Sequence, residues 1–245
     1  MSKDIYVIVE QRNGHVQKVS YELIGEATKL AADSGEQVIA VLMGYNIAPK
    51  AELLIQYGAS KVLVIDHPVL EHYTTEPYVK AIVKVIEDCD PNIVLFGASS
   101  IGRDMAPRVA GRVHTGLTAD TTRLDIDVKK YQEYLRTSTS LSLQPEKVDA
   151  LDTSDRFLKM TRPAFGGNII ATIVNPDNRP QMATVREGVM RREYAATPGA
   201  GEVKKIDWQK FVKDTDLAVR ILDREISESK IDIKGASVIV AGGYG

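Results

Sequence analysis

Short apolar runs and amphipathic stretches alternate along the first half of the chain. Ile5-Tyr6-Val7-Ile8-Val9, Val38-Ile39-Ala40-Val41-Leu42-Met43, Val62-Leu63-Val64-Ile65 and Ile93-Val94-Leu95-Phe96 are continuous and of strand length. Runs of this kind predict strands covered on both faces. Between them, Leu23, Ile24, Ala27, Leu30 and Ala31 recur at helical spacing, as do Val79, Ile82, Val83 and Ile86. The pattern predicts a helix capped by Ser20 and ended by Gly35, another over 48–57 stopped by Gly58, and two more over 77–88 and 103–113. Buried strands separated by amphipathic helices define an α/β domain, doubly wound around a mainly parallel sheet. Sheets of that class receive ligands at the carboxyl ends of their strands.

After Leu124 the rhythm changes. Residues 129–152 are polar and irregular, with no apolar face, and predict a long surface excursion. Residues 156–160, 168–174 and 181–185 predict strands joined by turns at Gly166-Gly167 and Asn175-Pro176-Asp177-Asn178, added to the sheet by antiparallel pairing. Thr197 to Gly201 is a linker. A helical stretch with Trp208, Phe211, Val212, Leu217, Val219 and Ile221 is expected within 202–229. Ala236 to Val240 then predicts a strand running into Ala241-Gly242-Gly243-Tyr244-Gly245. A buried-type strand and Gly-rich turn without the helix that should follow imply one domain over residues 1–200 and, over 201–245, the opening of a second domain that is cut short.

Charge changes this picture little. The 245 residues carry a formal net charge of -2 and no block of one sign, which argues against nucleic acid held on a basic face. A single cysteine, Cys89, excludes an intrachain disulfide framework or a Cys-rich metal site. It reads as a small residue at a helix end. His15, His67, His72 and His114 lack metal-ligand spacing. The apolar runs fall far short of the roughly 20 residues of a membrane helix. No secretory leader precedes Ile5, so a soluble cytoplasmic protein is expected.

Candidate chemistry lies at Gly-rich loops. Gly97-Ala98-Ser99-Ser100-Ile101-Gly102-Arg103-Asp104 follows a strand and opens a helix, where an anion can bind backbone N–H groups, or where a serine simply caps the helix. Thr161-Arg162-Pro163-Ala164-Phe165-Gly166-Gly167-Asn168 pairs glycines that permit close approach of a flat ring with a flanking arginine and phenylalanine. A plain hairpin explains the glycines but explains Arg162 and Phe165 less well. An arginine beside a flavin would stabilise negative charge on the reduced ring. Arg186, Arg191 and Arg192 form either a solvated surface or a partner contact. No Ser-His-Asp set and no pair of acids in a pocket is visible. The chain reads as a binding domain without catalytic machinery of its own.

These segments, in order, resemble the alpha subunit of electron-transferring flavoproteins. The resemblance rests on the motif from Gly97 to Ala110, on Thr115-Gly116-Leu117-Thr118-Ala119-Asp120, on Thr161 to Asn168, on Pro180-Gln181-Met182-Ala183-Thr184-Val185-Arg186 and on Val238-Ile239-Val240-Ala241-Gly242-Gly243. The insert near 129–152 is similar to versions found in anaerobic bacteria. The resemblance implies an adenine-nucleotide-hydrolase-like fold and a heterodimer with a beta subunit. It also implies FAD, held after the strand at Ala236 to Val240 by a second domain whose motifs are missing here. Electrons would pass from NADH through flavin to an acyl-CoA dehydrogenase partner and, in the bifurcating branch, to ferredoxin or flavodoxin. This makes the chain a redox-carrier subunit rather than an independent enzyme. Arg162, Phe165, Gly166, Gly167, Gly242 and Gly243 are the cofactor-contact candidates. The alternative is a stand-alone adenine-nucleotide module with its ligand over Gly97 to Gly102.

Overall fold

A computed structural model describes residues 3–138, 144–167, 169–195, 199–207, 209, 212–213, 217–225 and 236–243. The four continuous apolar runs form the centre of a parallel sheet: β1 (Ile5–Val9), β4 (Val38–Gly44), β5 (Lys61–Asp66) and β6 (Ile93–Gly97). A small hairpin of β2 (Gln11–Arg12) and β3 (His15–Val16) follows β1. Three less apolar strands complete the sheet: β7 (Leu117–Thr121), β11 (Gln181–Val185) and β12 (Glu202–Lys205). The order is β12-β5-β4-β1-β6-β11-β7, every pair parallel.

Strand alternation sorts the core into two layers. Ile5, Val7 and Val9 face α1 (Lys18–Ser34) and α2 (Ala51–Gln56), while Tyr6 and Ile8 face α3 (Thr75–Cys89) and α4 (Ser100–Arg112). Helix α1 ends at Gly35, whose φ of 75° lets the chain leave the helix left-handed. Cys89 is the exposed last residue of α3.

Several expectations are corrected. Ser20 is not a cap: α1 begins at Lys18 after Gln17, and the buried Ser20 hydroxyl accepts from the Glu10 backbone N–H at 2.8 Å. Strand β11 does not pair antiparallel but inserts between β6 and β7. Buried Gln181 and Thr184 fit there because each is hydrogen-bonded, to Leu158 N–H and Asp120 N–H respectively. The antiparallel pairing expected of this region falls instead in a second sheet, in which β9 (Lys159–Ala164) lies between β8 (Arg123–Asp125) and β10 (Ile169–Ile173).

The described residues of 129–152 are largely helical. They contain α5 (Val128–Thr137) and α6 (Pro145–Asp149), whose Val128, Tyr131, Gln132 and Val148 are buried. Ala236 to Val240 takes no strand conformation, and Val238, Ile239 and Val240 are exposed. The described residues from Leu217 to Glu225 are not helical. Thr197, Pro198, Trp208, Phe211, Tyr244 and Gly245 lie outside the described residues.

Beside α1, α5 and β8 a cavity of about 490 Å³ is lined by Glu26, Lys29, Asp33, Arg123, Asp125 and Lys130, among others. Burial pushes the Glu26 carboxyl up from its ordinary range, and the ion pair with Lys29 only partly opposes this. A raised carboxylate favours the fold while protonated, and that contribution is lost as pH rises through the folded-state value. Glu26→Gln is therefore expected to be more stable than the parent at pH 7, with the gap closing as pH falls below the unfolded carboxylate range. Urea midpoints at pH 7 and pH 4 check this, and a variant less stable at pH 7 would overturn it.

Candidate functional site

The β9–β10 hairpin carries the first candidate group. Arg162 stands opposite Ala171 in the ladder, on the same strand face as the buried Met160. Its Nε is the only buried side-chain nitrogen or oxygen without a hydrogen-bond partner among the described residues. A buried donor left unmade costs about 1–3 kcal/mol, so an acceptor from outside the chain is the natural complement. At the tip, Phe165, Gly166 and Gly167 have φ values of 48°, 68° and 91°. Left-handed backbone suits the glycines; at Phe165 it costs roughly 1–2 kcal/mol. The strain holds an aromatic ring 80 % exposed at the tip. Ile169, paired with Ala164 next to the tip, is exposed, and Ile173 and Val174 are exposed at the far end of β10; exposed apolar side chains of this kind are normally covered by a partner. Thus Arg162, Phe165, Gly166 and Gly167 share one hairpin, while Asn168 is outside the described residues. Gly242 and Gly243 lie elsewhere, on exposed chain without regular structure.

The second candidate lies where the strand order reverses, between β1 and β6. Ser99 caps α4, accepting from Gly102 N–H at 3.1 Å. The place a phosphate would take is occupied from within. Glu10, 6 % exposed, accepts a hydrogen bond from the Ser99 hydroxyl and two from Arg12, at 3.1 and 3.0 Å. Its carboxylate would repel a second anion. Arg103 is held by Asp120 at 3.2 and 3.0 Å. Asp104 accepts from Tyr73, Thr75 and Arg108, and the first two bonds hold its carboxyl below the ordinary range. This motif ties elements together, and its geometry does not favour a nucleotide over Gly97 to Gly102.

The arginines after β11 divide. Arg186 lies 3.9 Å from Asp120, whereas Arg191 is largely solvated. Their segment is pinned across α1 and α2 by Gly188 N–H to Glu22, Ala195 N–H to the Gln56 carbonyl, and Tyr194 stacked on Tyr57 at 4.4 Å. Sequence reasoning missed Glu10. An acid directly after an apolar strand, facing a Ser-rich helix start, was the available signal.

A doubly wound parallel sheet with an arginine-bearing hairpin on a second small sheet defines an α/β domain, and no helix of the described residues is long and apolar enough to cross a membrane. The chain belongs to the electron transfer flavoprotein family, whose domain pattern matches residues 5–141 and 144–210. It is 42 % identical over 245 residues to the acryloyl-CoA reductase electron transfer subunit beta of Anaerotignum propionicum, covering 99 % of this chain and 66 % of that protein. It is equally similar, 42 % over 244 residues with coverages of 99 % and 66 %, to the electron transfer flavoprotein subunit alpha of Thermoanaerobacterium thermosaccharolyticum. The lactate dehydrogenase (NAD(+),ferredoxin) subunit LctC of Acetobacterium woodii is 38 % identical over 243 residues, at coverages of 99 % and 51 %. The chain spans just under two thirds of the length of the first two relatives.

Proposed function

We propose that this chain is the docking half of the alpha subunit of a heterodimeric electron-transferring flavoprotein, with residues 1–200 as its packing domain and 201–245 opening the next. The carrying observation is the hairpin: an arginine with an unmet buried donor beside an exposed aromatic tip. On this reading Phe165 and the neighbouring isoleucines pack on the beta subunit. Arg162, Gly166 and Gly167 lie against an FAD held mainly by that subunit, Arg162 offering its Nε–H and charge and the glycines a flat approach. The FAD supplies the chemistry of accepting a hydride from NADH and releasing electrons singly. Delivery runs to an acyl-CoA dehydrogenase type partner, and to ferredoxin or flavodoxin where the complex bifurcates. Relatives named for acryloyl-CoA reductase and for an NAD- and ferredoxin-linked lactate dehydrogenase support both branches. Gly242 and Gly243 are assigned to the second domain's own FAD.

The test is co-expression with the beta subunit. A yellow heterodimer that bleaches with NADH is expected; a colourless chain that remains alone and binds ATP would replace this reading with the nucleotide module. Phe165→Ser should weaken the heterodimer by about 2 kcal/mol, some thirtyfold in dissociation constant, because a buried aromatic is lost. Sedimentation of the paired subunits measures it, and an unchanged constant would remove the hairpin tip from the interface.

A further inference from the structure

The chain stays on the body of the domain after β12. Ile206 N–H donates to the Val64 carbonyl at 2.8 Å, Val212 is buried, and Val212 and Leu217 both pack in the core layer of α3 and α4. From Leu217 to Glu225 the chain then runs without regular structure. Ile221 and Arg224 line a cavity of about 350 Å³ together with Arg12, Asn13 and Ser100, which follow β1 and β6. This is the crevice at the carboxyl ends of the strands, beside the reversal in strand order, where sheets of this class receive ligands. The same two residues line a second cavity, of about 630 Å³, with Val69 and His72 after β5.

The far end of this segment is fixed by Arg224. Its Nη1 donates to the Asn13 side-chain oxygen at 2.6 Å and lies 3.4 Å from His72 Nδ1. Asn13 is a firm post. Its φ of 52° and that of Gly14, 74°, make the tight turn of the β2–β3 hairpin. Gly14 N–H donates to the buried Gln11 side chain at 3.0 Å, and Gln11 donates to the Leu70 carbonyl and the Tyr78 hydroxyl. Between Leu217 and Arg224 the hold is slight: Val219 and Leu222 are 69 % and 82 % exposed. A segment with few buried apolar contacts opens at low free-energy cost.

We infer that residues 217–225 form a strap across the carboxyl-end crevice, with the Arg224–Asn13 bond as its latch. Closed, the strap covers the side of the crevice at His72. Unlatched, it swings out from Leu217 and leaves that side open. Glu10 occupies the crevice from within, and the strap covers it from outside, so entry of a ligand on that side requires the strap to leave. The strap involves no residue of the β9–β10 hairpin and stands independently of the flavin contact.

The experiment is native-state proteolysis of the 245-residue chain by thermolysin, with fragments mapped by mass, on the parent, Arg224→Ala, Asn13→Gly and the double variant. Glycine at position 13 keeps the left-handed turn while removing the acceptor. Cleavage within 219–222 should be about three- to tenfold faster in each single variant, the range one net hydrogen bond provides, because the protease takes the opened population. The double variant should be no faster than the singles, since either change removes the whole bond. Urea midpoints, expected unchanged, separate opening of the strap from loss of the fold. Carbethoxylation of His72 in Asn13→Gly should accelerate by the same factor, measured against the exposed His114. Unchanged cleavage in both single variants would overturn the latch. Factors that multiply in the double variant would show that Asn13 and Arg224 act apart, and would overturn it as well. Faster cleavage with an unmoved His72 would leave a tail that covers nothing, and would overturn the closure.

Discussion

Arg162→Ala should leave the fold intact and lower the midpoint potential of the flavin in the heterodimer by roughly 60–130 mV, equivalent to losing a charged hydrogen bond of about 1.5–3 kcal/mol in a one-electron couple. The sign follows from charge: a cation beside a ring that gains negative charge on reduction favours the reduced form, so its removal makes reduction harder. Stability should change little because two effects oppose. Alanine removes the buried Nε that has no partner among the described residues, and it also removes the partly buried methylenes of the same side chain. Arg162→Lys keeps the charge but not the planar donor and should fall between the two. A redox titration of the complex and a urea curve of the chain separate the outcomes. An unmoved potential in a folded complex would place Arg162 away from the flavin.

The central layers were legible because β1, β4, β5 and β6 are apolar on both faces, which only a covered parallel sheet requires. The strands that escaped notice are held by hydrogen bonds rather than marked by an apolar run. In β7, Thr118 and Thr121 are buried, with Thr121 donating to the Thr184 carbonyl. β12, Glu202–Lys205, is exposed throughout and is held by backbone pairing with β5, to which side-chain pattern is blind. The α5 face failed for the same reason: Tyr131 and Gln132 count as polar in a pattern, yet both are buried. In the candidate site, Arg162, Phe165 and the two glycines were visible because arginine and phenylalanine are poor choices for a bland turn. The partners that fix them were not. The Thr161 and Thr172 hydroxyls meet only because the two strands of the hairpin pair in this register. The loop over Gly97 to Gly102 shows the limit most directly, since the residue that occupies it, Glu10, comes from the end of a different strand, directly after β1.

The same loop carries the largest expected effect on folding. Gly102 lies in the first turn of α4. Helix propensity alone favours alanine over glycine by about 1 kcal/mol. Packing reverses the sign. A Cβ on Gly102 would lie 1.8 Å from the Gly97 carbonyl oxygen and 3.0 Å from its carbon, both backbone atoms. Gly97 is confined as well, because its own Cβ position lies 2.8 Å from Val19 of α1. Neither side has a flexible end that can swing away. The strain must be taken up by moving the end of β6 against the start of α4, which also breaks the Ser99 cap and its bond to Glu10. Overpacking by one methyl ordinarily costs about 1–3 kcal/mol, and loss of a cap adds about 1. Gly102→Ala is therefore expected to lose roughly 3 kcal/mol or more despite its better propensity. Gly111 on the same helix provides the control, since its Cβ position meets nothing within 4 Å. Gly111→Ala should gain a few tenths to about 1 kcal/mol. Urea midpoints with unchanged m values would report both differences. A Gly102→Ala chain as stable as Gly111→Ala would mean that β6 and α4 do not approach as closely as their glycines indicate.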